Sequence, residues 1–173
     1  MQTVTNPTNP NLQQPAPAAP GGAQESRLAR GLRMLTAIDG HAGEQVVASL
    51  ADIAPDFATY LLEFPFGDIY ARPGLDLRAR EIATIAALTA LGHAQPQLKV
   101  HIAAGLNVGL SEAEIVETIM QMAVYAGFPA ALNGLFAARE VFAARRARGE
   151  DAGAAEPSDS ADSAESTDHA QAA

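Results

Sequence analysis

Four histidines, at positions 41, 93, 101 and 169, are the side chains of this sequence best suited to move a proton near neutral pH. A cluster of Arg72, Arg78, Arg80 and Glu81 is the group best suited to grip an anion. Spacing puts His101 on the apolar face of an amphipathic helix with Leu98, Ile102, Gly105 and Leu106. A histidine so placed is either a hydrogen-bonded core residue, which is the commoner case, or an acid–base group. His93 follows Gly92 in a loop, His41 follows Gly40 at a helix start, and His169 lies in a polar tail, so these three are assigned to solvent or to capping. The arginines and Glu81 follow Pro73 and Gly74, where they read either as an exposed helix start with i, i+3 pairs or as a carboxylate site built from guanidinium forks. With no cysteine in the sequence, thiol nucleophiles, disulfides, thiolate metal sites and redox relays are excluded from this chain. No pair of histidines or acids has metal-ligand spacing, and no Ser-His-Asp, H-E-x-x-H or phosphate-loop pattern occurs.

The elements that must hold these residues read as helices. Leu28, Leu32 and Leu35, then Val46, Val47, Leu50 and Ile53, recur at three- and four-residue steps, and no stretch alternates as a strand would. Asp76 is placed to cap a helix that Gly92 closes, and Pro96 opens the next, which Gly109 ends. Ser111 with Glu114 forms a capping box for a helix whose buried stripe is Ile115, Ile119, Met122, Ala123 and Ala126. Gly127 and Pro129 break it. A last helix runs from about Pro129 through Phe136, Val141 and Phe142 to Arg145, Arg146 and Arg148, cations that suit the negative pole of its dipole. The spacing therefore predicts an all-α helical bundle with short connections. Its many alanines leave flat helix faces that a second copy could cover, and a homo-oligomer is expected.

Length and charge bound the rest. The 173 residues suffice for one domain with its own core. Residues 1–24 carry no charge, and residues 149–173 carry seven acids and no base, so much of the net charge of −9 belongs to the end of the chain. Both stretches lack an apolar period and are expected to be disordered, leaving residues 25–148 as the folded unit. Lys99 is the one lysine, and no basic patch offers a surface to nucleic acid or to an anionic membrane. No apolar run has the roughly 18–20 residues of a membrane span, and the first residues do not read as a secretory signal, so the expected location is cytoplasmic.

Three segments, FGDIYARPGLDLRARE (66–81), LKVHIAAGLNVGLSEAEI (98–115) and VYAGFPAAL (124–132), resemble the gamma-carboxymuconolactone decarboxylase family in order and separation. The resemblance extends more weakly to residues 31–42 and 137–142. The wider superfamily includes alkylhydroperoxidase D, whose peroxide chemistry needs a cysteine pair, so this chain falls in a cysteine-free branch.

The resemblance implies an all-helical fold assembling into trimers or hexamers, and a role in degrading aromatic acids. It also implies decarboxylation of 4-carboxymuconolactone to the enol-lactone of 3-oxoadipate, without metal or organic cofactor. As carbon dioxide leaves, its electron pair flows through the conjugated double bond to the lactone carbonyl, so the substrate is its own electron sink. The protein must hold the carboxylates, stabilise oxygen charge and deliver one proton. By the same resemblance His101 is the proton donor or electrophile, and Glu81 is its orienting carboxylate. Arg72 and Arg80 are candidates to bind the substrate carboxylates, with Gln121 and Tyr125 supplying hydrogen bonds. The chain departs from the family pattern at Gln97, Ala103 and Val108, where an acid, an arginine and an asparagine are expected. That favours, as an alternative, a related enzyme acting on a less charged lactone or carbonyl compound. A non-catalytic helical oligomer or binding protein is the alternative of another class.

Overall fold

Ser26 opens the first helix by accepting a 3.1 Å hydrogen bond from the Ala29 amide, which satisfies one of the amides left free at a helix start. The computed structural model describes residues 25–150, and among these there is no strand. Seven α-helices follow in order: α1 (Arg27–Asp39), α2 (His41–Ala48), α3 (Pro55–Leu61), α4 (Leu77–Leu91), α5 (Gln95–Asn107), α6 (Glu112–Ala126) and α7 (Phe128–Ala147). A π-helical segment, Leu62–Tyr70, continues directly from α3. None of the described helices is long and apolar enough to cross a membrane. Of the expected terminal tails, only Gly149 and Glu150 fall among the described residues, and His169 lies outside them.

Local signals account for most boundaries. Asp76 caps α4 by accepting from Ala79 N at 2.7 Å, and Gly92 ends it in a left-handed conformation. Pro96 lies in the first turn of α5, where a missing amide hydrogen costs nothing. The Ser111 hydroxyl accepts from the Glu114 amide at 3.2 Å, and the Glu114 carboxylate accepts from the Ser111 amide at 2.8 Å, completing the expected box. Arg78, at the start of α4, binds the Gly109 carbonyl and the Glu114 carboxylate. It therefore ties α4 to the turn between α5 and α6.

Two clusters of buried side chains meet along α5. Ile85, Leu98, Ile102, Ile115 and Ile119, each at most 2 % exposed, pack with Ala137, Ala138 and Phe142 between α4, α5, α6 and α7. Burying such an aliphatic side chain stabilises the fold by about 1.5–3 kcal/mol. On the other side, Leu35, Ile38, Leu62, Phe66 and Ala104 join α1 and the π-helical segment to α5. Residues 98, 102 and 105 thus face one cluster, while 97, 101 and 104 turn toward the other side of the same helix.

Two expectations are corrected. On α1 the buried face is Gly31, Leu35 and Ile38, with Leu28 and Leu32 exposed. The reason is close approach: a Cβ on Gly31 would collide with the Leu62 carbonyl, and one on Gly67 would lie 2.7 Å from the Arg27 carbonyl oxygen. The two backbones pack against each other through these glycines. Ile53 also lies beyond α2, 76 % exposed in a turn, so the spacing from Val46 does not carry one helix that far.

Candidate active site

The site is built where α5 turns its second face toward α1, α2 and the π-helical segment. A cavity of about 470 Å³ opens there. Leu35 and Asp39 of α1 and Gly43 and Val46 of α2 form one wall, and Pro65, Phe66 and Tyr70 of the π-helical segment form another. Leu61 of α3, Thr84 of α4 and Pro96, Gln97, Val100 and His101 of α5 complete the described lining. A π-helical turn adds a residue to the usual winding and shifts the side chains after it, and such turns recur at functional sites. Here the turn contains Pro65, and it delivers Phe66 and Tyr70, ring centroids 5.5 Å apart, to the cavity.

His101 and Glu81 meet across the interface of α4 and α5. The imidazole Nδ1 donates to Glu81 Oε2 at 2.9 Å, and Glu81 is fully buried. That bond fixes the ring orientation and leaves Nε2 as the nitrogen available to a molecule in the cavity. Burial disfavours the imidazolium, but the hydrogen bond to Glu81 and the negative charges of Glu81 and Asp39 outweigh it, so His101 titrates above its ordinary value. Glu81 Oε1 has no hydrogen-bond partner among the described residues.

Asp39, the last residue of α1, is a second buried acid of the cavity wall and 7 % exposed. Burial pushes its carboxyl up to about 6, with the charge of Glu81 acting the same way and that of His101 opposing both. Gly40, whose φ of 54° suits glycine, ends the helix directly after it. Tyr70 completes the polar surface. Burial first, then the charge of Glu81, pushes its phenol up to about 12, and its hydroxyl lies 2.9 Å from Thr84 Oγ1, which in turn donates to the Arg80 carbonyl.

The arginines divide. Arg80 stacks its guanidinium over the Tyr70 ring at 5.7 Å and donates from Nη2 to the Arg72 carbonyl at 2.9 Å, one layer behind the cavity wall. Its Nε is buried without a partner. Arg72 is exposed at the turn before α4 and does not line the cavity. Gln121 and Tyr125 lie on the exposed side of α6, Tyr125 at 76 %, and neither lines the cavity within one chain. The residues that sequence reasoning passed over are Asp39, Tyr70 and Thr84. The signal for Asp39 was an acid four residues after Leu35, on the face that α1 buries.

Comparison with known proteins agrees with this architecture. A family model, that of the carboxymuconolactone decarboxylase family, matches residues 55–140. The chain is also 34 % identical over 119 residues, 68 % of its length, to 4-carboxymuconolactone decarboxylase of Acinetobacter baylyi, of which it covers 88 %. The chain belongs to the carboxymuconolactone decarboxylase family. It is also 36 % identical over 96 residues to an uncharacterised 15.0 kDa protein of Paracoccus denitrificans, covering 55 % of this chain and 72 % of that one. It is 32 % identical over 76 residues to nitrosuccinic acid decarboxylase of Metarhizium robertsii, covering 43 % of this chain and 52 % of that enzyme. The family match starts at Pro55, so it includes the π-helical segment, Glu81 and His101, while Asp39 lies before it.

Proposed function

We propose that the protein is a cofactor-free decarboxylase of 4-carboxymuconolactone, giving the enol-lactone of 3-oxoadipate. The observation that carries this reading is the His101–Glu81 pair, a 2.9 Å charge-assisted hydrogen bond, with His101 in the lining of a cavity of about 470 Å³. Two relatives named as decarboxylases support the reaction class. In this reading the lactone ring lies against Phe66 and Val100, and the imidazolium Nε2–H donates to the lactone carbonyl oxygen. Charge then grows on that oxygen as the C–C bond to the departing carboxylate breaks. A donor already aimed at the oxygen stabilises that charge without reorganising, which is the largest single contribution such a site can make. The ring's own conjugation takes up the electron pair.

The test is turnover of freshly generated 4-carboxymuconolactone, followed by ultraviolet absorbance and carbon dioxide release, by the purified protein and its His101→Ala variant. Turnover that vanishes in the variant is the expected result. An unchanged rate in the variant overturns the assignment of His101, and no turnover by the folded wild type overturns the substrate.

A second reading, a related enzyme acting on a less charged lactone or carbonyl compound, is favoured by the cavity lining. Among the described residues its ionisable side chains are Asp39, Tyr70 and His101, with no arginine or lysine. The proposal also includes a homo-oligomer, trimer or hexamer. Val124, Tyr125 and Phe128 are each more than 70 % exposed where α6 meets α7, and Leu132 and Phe136 extend that apolar strip along α7. Solution mass measurement checks it, and a monomer at micromolar concentration would count against it.

A further inference from the structure

Loss of carbon dioxide from a carboxylate replaces a C–C bond by a C–H bond, so each turnover consumes one proton. The enolate oxygen, outside the ring, and the ring carbon that receives the proton are different atoms. A single imidazole Nε2–H cannot hold the one while protonating the other. The cavity offers a second acid. Asp39 of α1 lines it together with His101 of α5, and is 7 % exposed. Its Oδ1 is buried without a hydrogen-bond partner. A buried carboxyl oxygen with no hydrogen-bond partner is costly to the fold when the group is ionised, which favours the protonated carboxyl at this place in the wall.

We propose that Asp39 is a second catalytic acid, delivering the proton to the carbon α to the lactone carbonyl while His101 holds the enolate oxygen. This rests on the decarboxylase reading. The C–C bond to the leaving carboxylate breaks and its electron pair moves through the ring to the carbonyl oxygen. The pair then returns to form the new C–H bond as the Asp39 O–H bond breaks. The Asp39 carboxylate regains a proton from water as product leaves, and no electrons enter or leave the site.

The surroundings suit the role. His101 from α5, Glu81 from α4 and Tyr70 from the π-helical segment are the ionisable groups that act on Asp39 or feel its charge, and α2 contributes Gly43 and Val46 to the wall beside it. Burial and Glu81 hold the carboxyl at about 6, within reach of a proton near neutrality, where an ordinary aspartate has lost it. A bound substrate carboxylate adds another negative charge and favours the protonated form further.

The test uses Asp39→Asn, close in shape but unable to release a proton, with 4-carboxymuconolactone in deuterium oxide. Wild type should place one deuterium on one face of the new CH2 group. In the variant, kcat should fall about 100-fold, and the residual product should carry deuterium on both faces. An undiminished kcat, or a reduced kcat with deuterium still on one face, overturns the proposal while leaving the decarboxylase reading intact. If wild type turns over nothing, that reading fails instead, and the acid is tested alone by carbon-13 NMR of aspartate-labelled protein. A carboxyl titrating near 6 that disappears in Asp39→Asn supports the second acid. Aspartates that all titrate near the ordinary value of about 4 overturn it.

Discussion

His101 Nδ1 lies 2.9 Å from Glu81 Oε2, a carboxylate with no exposed surface, so the orientation of this imidazole is set from inside the protein. The pair joins α4 to α5, and any change to Glu81 acts on the reactive nitrogen through the ring. The two residues come from different helices, twenty positions apart, and their meeting depends on the packing of Ile85 against Leu98 and Ile102.

Removal of either partner should separate chemistry from stability. His101→Ala should lower turnover by at least about 100-fold, the usual contribution of a positioned acid. Glu81→Ala leaves a mostly buried imidazole unpaired and should destabilise the fold by about 3–5 kcal/mol, the cost of breaking a buried pair. Glu81→Gln should keep the fold and lower, without abolishing, activity through a misprotonated ring. Urea unfolding and steady-state kinetics on the three variants check this. Equal stability of Glu81→Ala and wild type would count against the pairing.

The pair also sets a pH window. His101 titrates above its ordinary value of 6.5, so its contribution to stability is fully present below pH 6.5 and is lost as pH rises through the higher folded value. Activity that needs the imidazolium should fall over the same alkaline range. In Glu81→Gln, which removes the largest of the influences that raise it, the alkaline limb of kcat should move to lower pH. A limb that stays in place would assign the titration to another group.

Asp39 has the opposite consequence for stability at neutral pH. Its folded value of about 6 lies above its ordinary 3.8, so the stability it contributes is present below pH 3.8 and lost as pH rises through about 6. At pH 8 the ionised, buried carboxylate is a burden on the fold. Asp39→Asn should therefore be more stable than wild type by about 1–3 kcal/mol at pH 8, with the gain disappearing toward pH 4. Thermal unfolding at the two values reads it directly. A variant less stable at both would mean that Asp39 anchors α1 rather than serving the cavity.

Much of the frame was legible because caps are local. Asp76 with Gly92, and Ser111 with Glu114, fix their helices within four residues or one turn, and the structure places each as expected. His101 stood out by spacing, but its partner was named from family resemblance. Nothing in the sequence around Glu81 distinguishes a buried carboxylate from an exposed helix start. The stretch 55–70 gave no pattern. Pro65 sits inside it, and Phe57, Tyr60 and Phe64 are exposed, so no single apolar stripe marks its inner face. Asp39 was missed for a related reason. Which face of α1 is buried depends on where Gly31 meets Leu62, a contact across about thirty residues that no local period records.

Gly31 therefore controls the cavity from a distance. A Cβ there would collide with the Leu62 carbonyl oxygen and lie 2.7 Å from its carbonyl carbon. Both atoms are backbone and cannot swing away, so α1 must shift relative to the π-helical segment. Overpacking of this kind costs about 1–3 kcal/mol. Because α1 also carries Leu35 and Asp39 in the cavity wall, Gly31→Ala should lower kcat along with stability. Gly74→Ala is the control: nothing lies within 4 Å of its Cβ, and its stability should stay within about 0.5 kcal/mol of wild type. If Gly31→Ala loses stability yet keeps full kcat, the position of α1 is immaterial to the chemistry and Asp39 is not part of it. Loss of both, with Gly74→Ala unchanged, would tie the packing of the two backbones to the work of the site.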